Sequence, residues 1–209
     1  MKPIRSSVTF LGKPQSNAKR FRMAVVALTV AASVCTLQVT RIEAKDHAAH
    51  PAKAATDLLL PEDQRKIAPG FSLTNADGKS LNLADYRGKV VLLDFWATWC
   101  GGCKLEIPWY MEFDEKYKGH GLAVIGVSMD EDGWKAVRPF LARERDPETG
   151  GKTAMKYPVV IGNETLVKEY NMTSMPMTLL IDRKGRIALS HTGMVNRADF
   201  EGHILELLR

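Results

Sequence analysis

Cys100 and Cys103 stand three residues apart in the run Trp96-Ala-Thr-Trp99-Cys100-Gly101-Gly102-Cys103. The run follows an apolar, β-branched segment and opens a stretch with helical spacing. Both thiols are therefore expected at a helix N-terminus. There the helix dipole and the free backbone N–H groups favour a thiolate on the first cysteine. A thiolate at Cys100 attacks a disulfide, and Cys103 resolves the mixed disulfide that results. This exchange needs an accessible nucleophile and a shielded partner, and it calls for no cofactor.

Other uses of the pair are poorly served. A structural zinc site needs a second ligand pair, and the body of the chain has no further Cys-x-x-Cys or suitable His pair. Covalent haem attachment needs His after the second cysteine, where Lys104 stands. An inert disulfide is the bland alternative, out of place at a strand-to-helix elbow.

The elements that must hold this pair are legible as patterns. Residues 89–95 (KVVLLDF) and 122–129 (LAVIGVSM) read as buried strands. Residues 103–118 have Ile107, Tyr110, Met111, Phe113 and Tyr117 at helical spacing, and residues 134–145 read as a second helix with Ala136, Val137, Phe140 and Leu141 inward. A strand at 157–161, a helix at 164–170, two strands at 178–182 and 187–190 joined by a tight turn, and a terminal helix at 199–208 follow. Upstream, residues 71–74 read as a short strand ending at the turn Asn75-Ala-Asp-Gly78. The order β-α-β-α-β-α-β-β-α predicts an α/β fold with a central mixed sheet and helices on both faces. Residues 146–156 break the helical pattern and are expected to form an exposed loop.

The chain has 209 residues and a formal charge of +5. Residues 1–44 hold seven Lys and Arg against one acid, leaving 22 basic and 23 acidic residues in the rest. A neutral body with no basic, aromatic-studded patch argues against nucleic-acid binding. Three cations, Lys19, Arg20 and Arg22, precede an uncharged apolar run at 23–39. That is the export pattern. Cleavage after Ala44 makes residues 1–44 a signal peptide, and retention makes them a membrane anchor. Either places the body outside the cytoplasmic membrane. Cys35 lies in the apolar run as a passive residue. Residues 45–67, with His47 and His50 and no third ligand nearby, read as a flexible tether.

Residues 68–209 resemble the TlpA/ResA-like thioredoxins. The resemblance rests chiefly on Gly88-Lys-Val-Val-Leu-Leu-Asp-Phe-Trp-Ala-Thr-Trp-Cys-Gly-Gly-Cys-Lys-Leu-Glu-Ile-Pro108, with support from residues 71–88 and from Ser174-Met-Pro-Met-Thr178. It implies a thioredoxin-like fold and an exported or membrane-tethered monomer. It further implies reduction of disulfides in exported proteins, as in cytochrome c maturation, with electrons from a membrane thiol donor. Met175-Pro176 matches the family's cis-proline loop, which faces the cysteines. Pro176 is then an active-site residue, and Met175 and Thr178 flank an extended substrate segment. Glu106 matches an acidic position near the thiols, and Asp94 matches the buried acid of thioredoxins. Either can carry the proton of the resolving cysteine, and two such acids close together would titrate as a coupled pair. Trp99 is expected to shield one side of the site and Trp96 to pack in the core. Gly102 departs from the family's usual proline, which loosens the first helical turn.

Two further functions compete. Peroxiredoxins share the fold, and Thr98 two residues before Cys100 is similar to their peroxidatic threonine, although residues 92–97 lack the accompanying proline. A copper-handling module would use the same thiols as ligands.

Overall fold

The computed structural model describes residues 58–209 apart from residue 144, so the leader and most of the tether lie outside the described residues. Chain order is β1 (Ser72–Thr74), β2 (Ser80–Asn82), β3 (Val90–Trp96), α1 (Gly101–Tyr117), β4 (Leu122–Ser128), α2 (Trp134–Leu141), β5 (Val159–Ile161), α3 (Glu164–Glu169), β6 (Met177–Ile181), β7 (Ile187–Thr192) and α4 (Arg197–Leu208). Five strands form one mixed sheet in the order β5-β4-β3-β6-β7. β3 pairs parallel with β4 and antiparallel with β6. Every residue of β3 and β4 is buried, because neighbours flank both edges and helices cover both faces.

Alternation along β3 divides the core in two. Leu92 and Trp96 pack with Ile107, Tyr110 and Phe113 of α1, Val137 and Phe140 of α2, and Phe200 and Ile204 of α4. Val91, Leu93 and Phe95 pack on the opposite face with Leu166 of α3, Tyr170, and Ala68, Leu81 and Leu83 of the N-terminal segment. The period of two puts Asp94 on the first of these faces, between Leu92 and Trp96.

The expected short strand at 71–74 has a partner that its sequence pattern did not reveal. β2 pairs antiparallel with β1 across the turn at 75–78. Asn75 Oδ1 accepts from the Asp77 and Lys79 N–H groups, and Gly78 has φ +78°. Three-residue strands rich in Ser, Thr and Asn carry little periodic signal.

The expectation of an exposed loop at 146–156 is corrected. Asp146 and Thr153 are buried. Pro108 inside α1 has no N–H for the Lys104 carbonyl, and the loop closes over that point. A Cβ on Gly151 would lie 3.2 Å from Lys104 O and 3.2 Å from Pro108 Cγ. α2 also stops at Leu141, four residues short of the expected end. Thr153 Oγ1 then donates to the Arg143 carbonyl at 2.6 Å. No helix among the described residues is long and apolar enough to cross a membrane.

Phe113 seats α1 on the sheet, fully buried between Tyr110 and Tyr117 at ring separations of 6.3 and 6.4 Å. Phe113→Ala is expected to cost about 3–5 kcal/mol, read as a lower urea midpoint. An unchanged midpoint would show that α1 is not held through this face.

Candidate active site

β3 delivers the chain to the sheet's edge at Trp96, and α1 begins five residues later. Two backbone bonds hold the intervening elbow: Met129 N–H to Trp96 O at 2.8 Å and Cys100 N–H to Ala97 O at 3.1 Å. Cys100 is the N-cap of α1, and its Sγ accepts from the Cys103 N–H at 3.2 Å. The two cysteines are joined in a disulfide, with Cα atoms 5.3 Å apart. Cys100 is 6% exposed and Cys103 1%, so the first sulfur is the nearer to solvent.

The Met175–Pro176 peptide is cis. Gly102 brings this loop against the cysteines. A Cβ on Gly102 would lie 3.3 Å from Pro176 Cδ and 3.1 Å from Met194 Cγ. Glycine at 102 therefore permits a close approach of three segments, beyond the looser helical turn expected from sequence. Gly193 N–H donates to Pro176 O at 2.8 Å, tying the start of the 193–196 turn to the same loop.

Two carboxyl groups lie buried in this region. Glu106 stands three residues after Cys103 on α1 and is wholly buried. Its Oε1 accepts from the Val195 N–H at 2.7 Å, and its Oε2 has no hydrogen-bond partner. Burial pushes its pKa from the usual 4.5 to about 7, against the opposing pull of the Val195 amide. Asp94 is 1% exposed, and neither of its oxygens has a hydrogen-bond partner. Burial holds it well above the usual carboxylate range, and the Glu106 charge pushes it further. The two acids thus sense each other, as a coupled pair must.

Thr178 is corrected from its expected place beside the substrate. It lies opposite Asp94 in the β3–β6 register and is wholly buried. Its Oγ1 pairs with the Tyr110 hydroxyl at 2.9 Å. Pairing in the central sheet turns this side chain inward, beneath the cis-proline loop. Met175 is half-buried on that loop, and Trp99 stands 66% exposed beside Cys100.

The sequence reading missed Asp130. Its carboxylate is 5% exposed and accepts from the Thr98 N–H at 3.0 Å, the Thr98 hydroxyl at 2.6 Å and the Ser128 hydroxyl at 2.8 Å. These bonds pin the elbow two residues before Cys100. The Thr98 hydroxyl, candidate for a peroxidatic role, is committed to this carboxylate. No periodicity signals Asp130, because it follows a strand 32 residues away from its partner. Lys104 was likewise unremarked. It is 6% exposed, and its Nζ lies 2.8 Å from Glu148 and 3.4 Å from Asp146. Among the described residues no group of three His, Cys, Asp or Glu side chains could hold a metal.

A disulfide closed at a helix start and abutted by a cis-proline loop makes this chain a thiol–disulfide oxidoreductase of the thioredoxin-like fold. Comparison with known proteins narrows the class. Residues 65–190 match the AhpC/TSA family model, and the chain belongs to that family. Within it the chain is ResA/TlpA-like. It is 37% identical over 138 residues to the thiol-disulfide oxidoreductase ResA of Geobacillus kaustophilus, covering 66% of this chain and 74% of that one. It is also 37% identical over 136 residues to the thioredoxin-like protein YneN of Bacillus subtilis, covering 64% and 74%. Among solved structures, a thiol:disulfide interchange protein DsbE from Chlorobium tepidum superposes with a TM-score of 0.61 at 32% identity, covering 69% of this chain and 97% of that one.

The raised pKa of Glu106 has a consequence for stability. The fold favours its protonated form, so its contribution is fully present below pH 4.5 and is lost as pH rises through about 7. Glu106→Gln keeps an acceptor for the Val195 N–H and cannot ionise. Its stability relative to the wild type is expected to climb between pH 4.5 and 7 by about 3 kcal/mol and then level off. Parallel pH profiles in chemical denaturation would show that Glu106 is not held protonated by the fold.

Proposed function

We propose that the protein works outside the cytoplasmic membrane as a reductant of disulfides in exported proteins, of the kind needed in cytochrome c maturation, and is recharged by a membrane thiol donor. The export pattern at 1–44 supports the compartment. The direction of electron flow rests on the charges around the cysteines. Strong oxidants of this fold stabilise their reduced, thiolate form. Here Lys104, the cation next to Cys103, is taken up by Asp146 and Glu148, and two buried carboxyl groups stand behind the pair. Nothing in that set favours a persistent thiolate, and a dithiol without such stabilisation gives up its electrons readily.

In the proposed cycle the Cys100 thiolate attacks one sulfur of the partner's disulfide. The partner's other sulfur leaves with the bonding pair and takes a proton from solvent. The Cys103 thiol passes its proton to the Asp94–Glu106 pair, and its sulfur attacks Cys100 Sγ. The partner's second sulfur leaves as a thiolate. Two electrons have moved to the partner, and the disulfide of the described state is restored. The cis-Pro176 loop, with Met175, presents backbone to an extended partner segment, and Trp99 flanks it.

Equilibration of the protein with dithiothreitol buffers is expected to give a potential near thioredoxin's, about −270 mV. A value near about −120 mV, that of a strong oxidant, would reverse the direction. Cys103→Ser is expected to trap partners through Cys100. Partners attached through another residue would overturn the assignment of the nucleophile.

A further inference from the structure

The proton released by Cys103 starts in a place with no direct exit, since Cys103, Asp94 and Glu106 are all at most 1% exposed. Close by, the Trp96 Nε1 and the Tyr157 hydroxyl are buried and have no hydrogen-bond partner, as with both Asp94 oxygens. Buried polar groups are rarely left unpaired, so a group of them on one sheet face asks for a reason.

Gly126 supplies the geometry. It is the register partner of Asp94 across the parallel β3–β4 pair. Register partners project to the same face, so Gly126 leaves open the space beside the Asp94 carboxyl. A Cβ there would lie 3.1 Å from Trp96 Nε1 and 3.3 Å from Tyr157 Cε2. Tyr157 therefore borders that space. The same tyrosine lines a cleft of about 560 Å³, whose wall includes Asp114, Lys118 and Lys156. Tyr157 thus stands between the buried carboxyl and an open cleft, on the side of α1 away from the cis-proline loop.

We propose that Tyr157 relays the proton of the resolving step from Asp94 to this cleft, where Asp114 and solvent receive it. This rests on the oxidoreductase reading above. The Cys103 S–H bond breaks, its proton goes to the Asp94 carboxylate, and the sulfur's electron pair forms the bond to Cys100 as the partner's sulfur departs. The Asp94 acid then donates to the Tyr157 oxygen as Tyr157 gives its own proton outward, with solvent from the cleft completing the contacts. Tyr157 finishes neutral. Burial, then the charges of Asp94 and Asp114, hold its ionisation well above the ordinary range, which suits a hydroxyl that passes protons without staying charged. Burial also raises Asp114, with Glu115 adding and Lys118 opposing, which improves it as a receiver. Tyr110, Glu106 and Thr178 border the inner end.

The test is single-turnover reduction of a small disulfide-bonded peptide by the pre-reduced full-length protein, in H₂O and D₂O, beside the reduction potential. Tyr157→Phe keeps the ring and removes the hydroxyl. It is expected to slow the resolving step about tenfold, below the 10²–10⁴ of a full acid–base group. The solvent isotope effect should rise and the potential stay the same. Asp114→Asn, at the half-buried outer end, is expected to act in the same sense more weakly and serves if the Phe variant does not fold. Wild-type rates and isotope effects in both variants would overturn the relay while leaving the oxidoreductase reading intact. A slower step with a shifted potential would make Tyr157 a packing residue and also overturn it. Failure of the wild-type protein to transfer electrons would remove both.

Discussion

Strand β3 has no free edge and no free face, and the rest of the molecule is arranged around that constraint. Its backbone is consumed by β4 on one side and β6 on the other. Its side chains feed two separate cores. A carboxylate in such a strand cannot reach water, and Asp94 sits there with neither oxygen hydrogen-bonded. The cost of that placement is met mainly by keeping the group protonated. The strand that gives the sheet its stability thus also stores an acid whose proton is hard to remove.

The cysteines inherit their position from the same strand. β3 ends at Trp96, and the elbow that follows is fastened by the Met129 N–H and by the Asp130 carboxylate through Thr98. The first turn of α1 is fastened from the other side, where Gly102 lets Pro176 and Met194 approach. Glu106, one turn further along α1, reaches across to the Val195 N–H beside this contact. Four segments distant in sequence therefore meet within one helical turn. The meeting point leaves Cys100 nearer to solvent than Cys103, the asymmetry that stepwise exchange requires.

Charge is managed with similar economy around the site. Lys104 would be the natural cation to stabilise a thiolate, but the 146–151 loop satisfies it with two carboxylates. That loop also covers the carbonyl freed by Pro108. One irregularity in α1, a proline in its second turn, is thereby tied to the electrostatics of the residue after Cys103. The loop is accordingly part of the active-site surround and more than a connection between α2 and β5.

The sequence alone determined what local periodicity and short motifs can carry. The Cys-x-x-Cys pair, the continuous apolar runs of β3 and β4, the helical face of α1 and the element order were all readable there. So was Glu106, because a residue three after Cys103 shares its helix face. The tertiary structure alone decided which side chains meet across long separations. Thr178 carries no mark that turns it toward Tyr110, 68 residues away, and Asp130 none that joins it to Thr98. Gly126 looks like any strand glycine until Asp94 and Tyr157 border it. The buried loop at 146–156 reads as polar and irregular, and only the vacant carbonyl acceptor and the cation on α1 make its burial favourable. Periodicity records which way a residue faces on its own element; what stands opposite is set by how the elements pack.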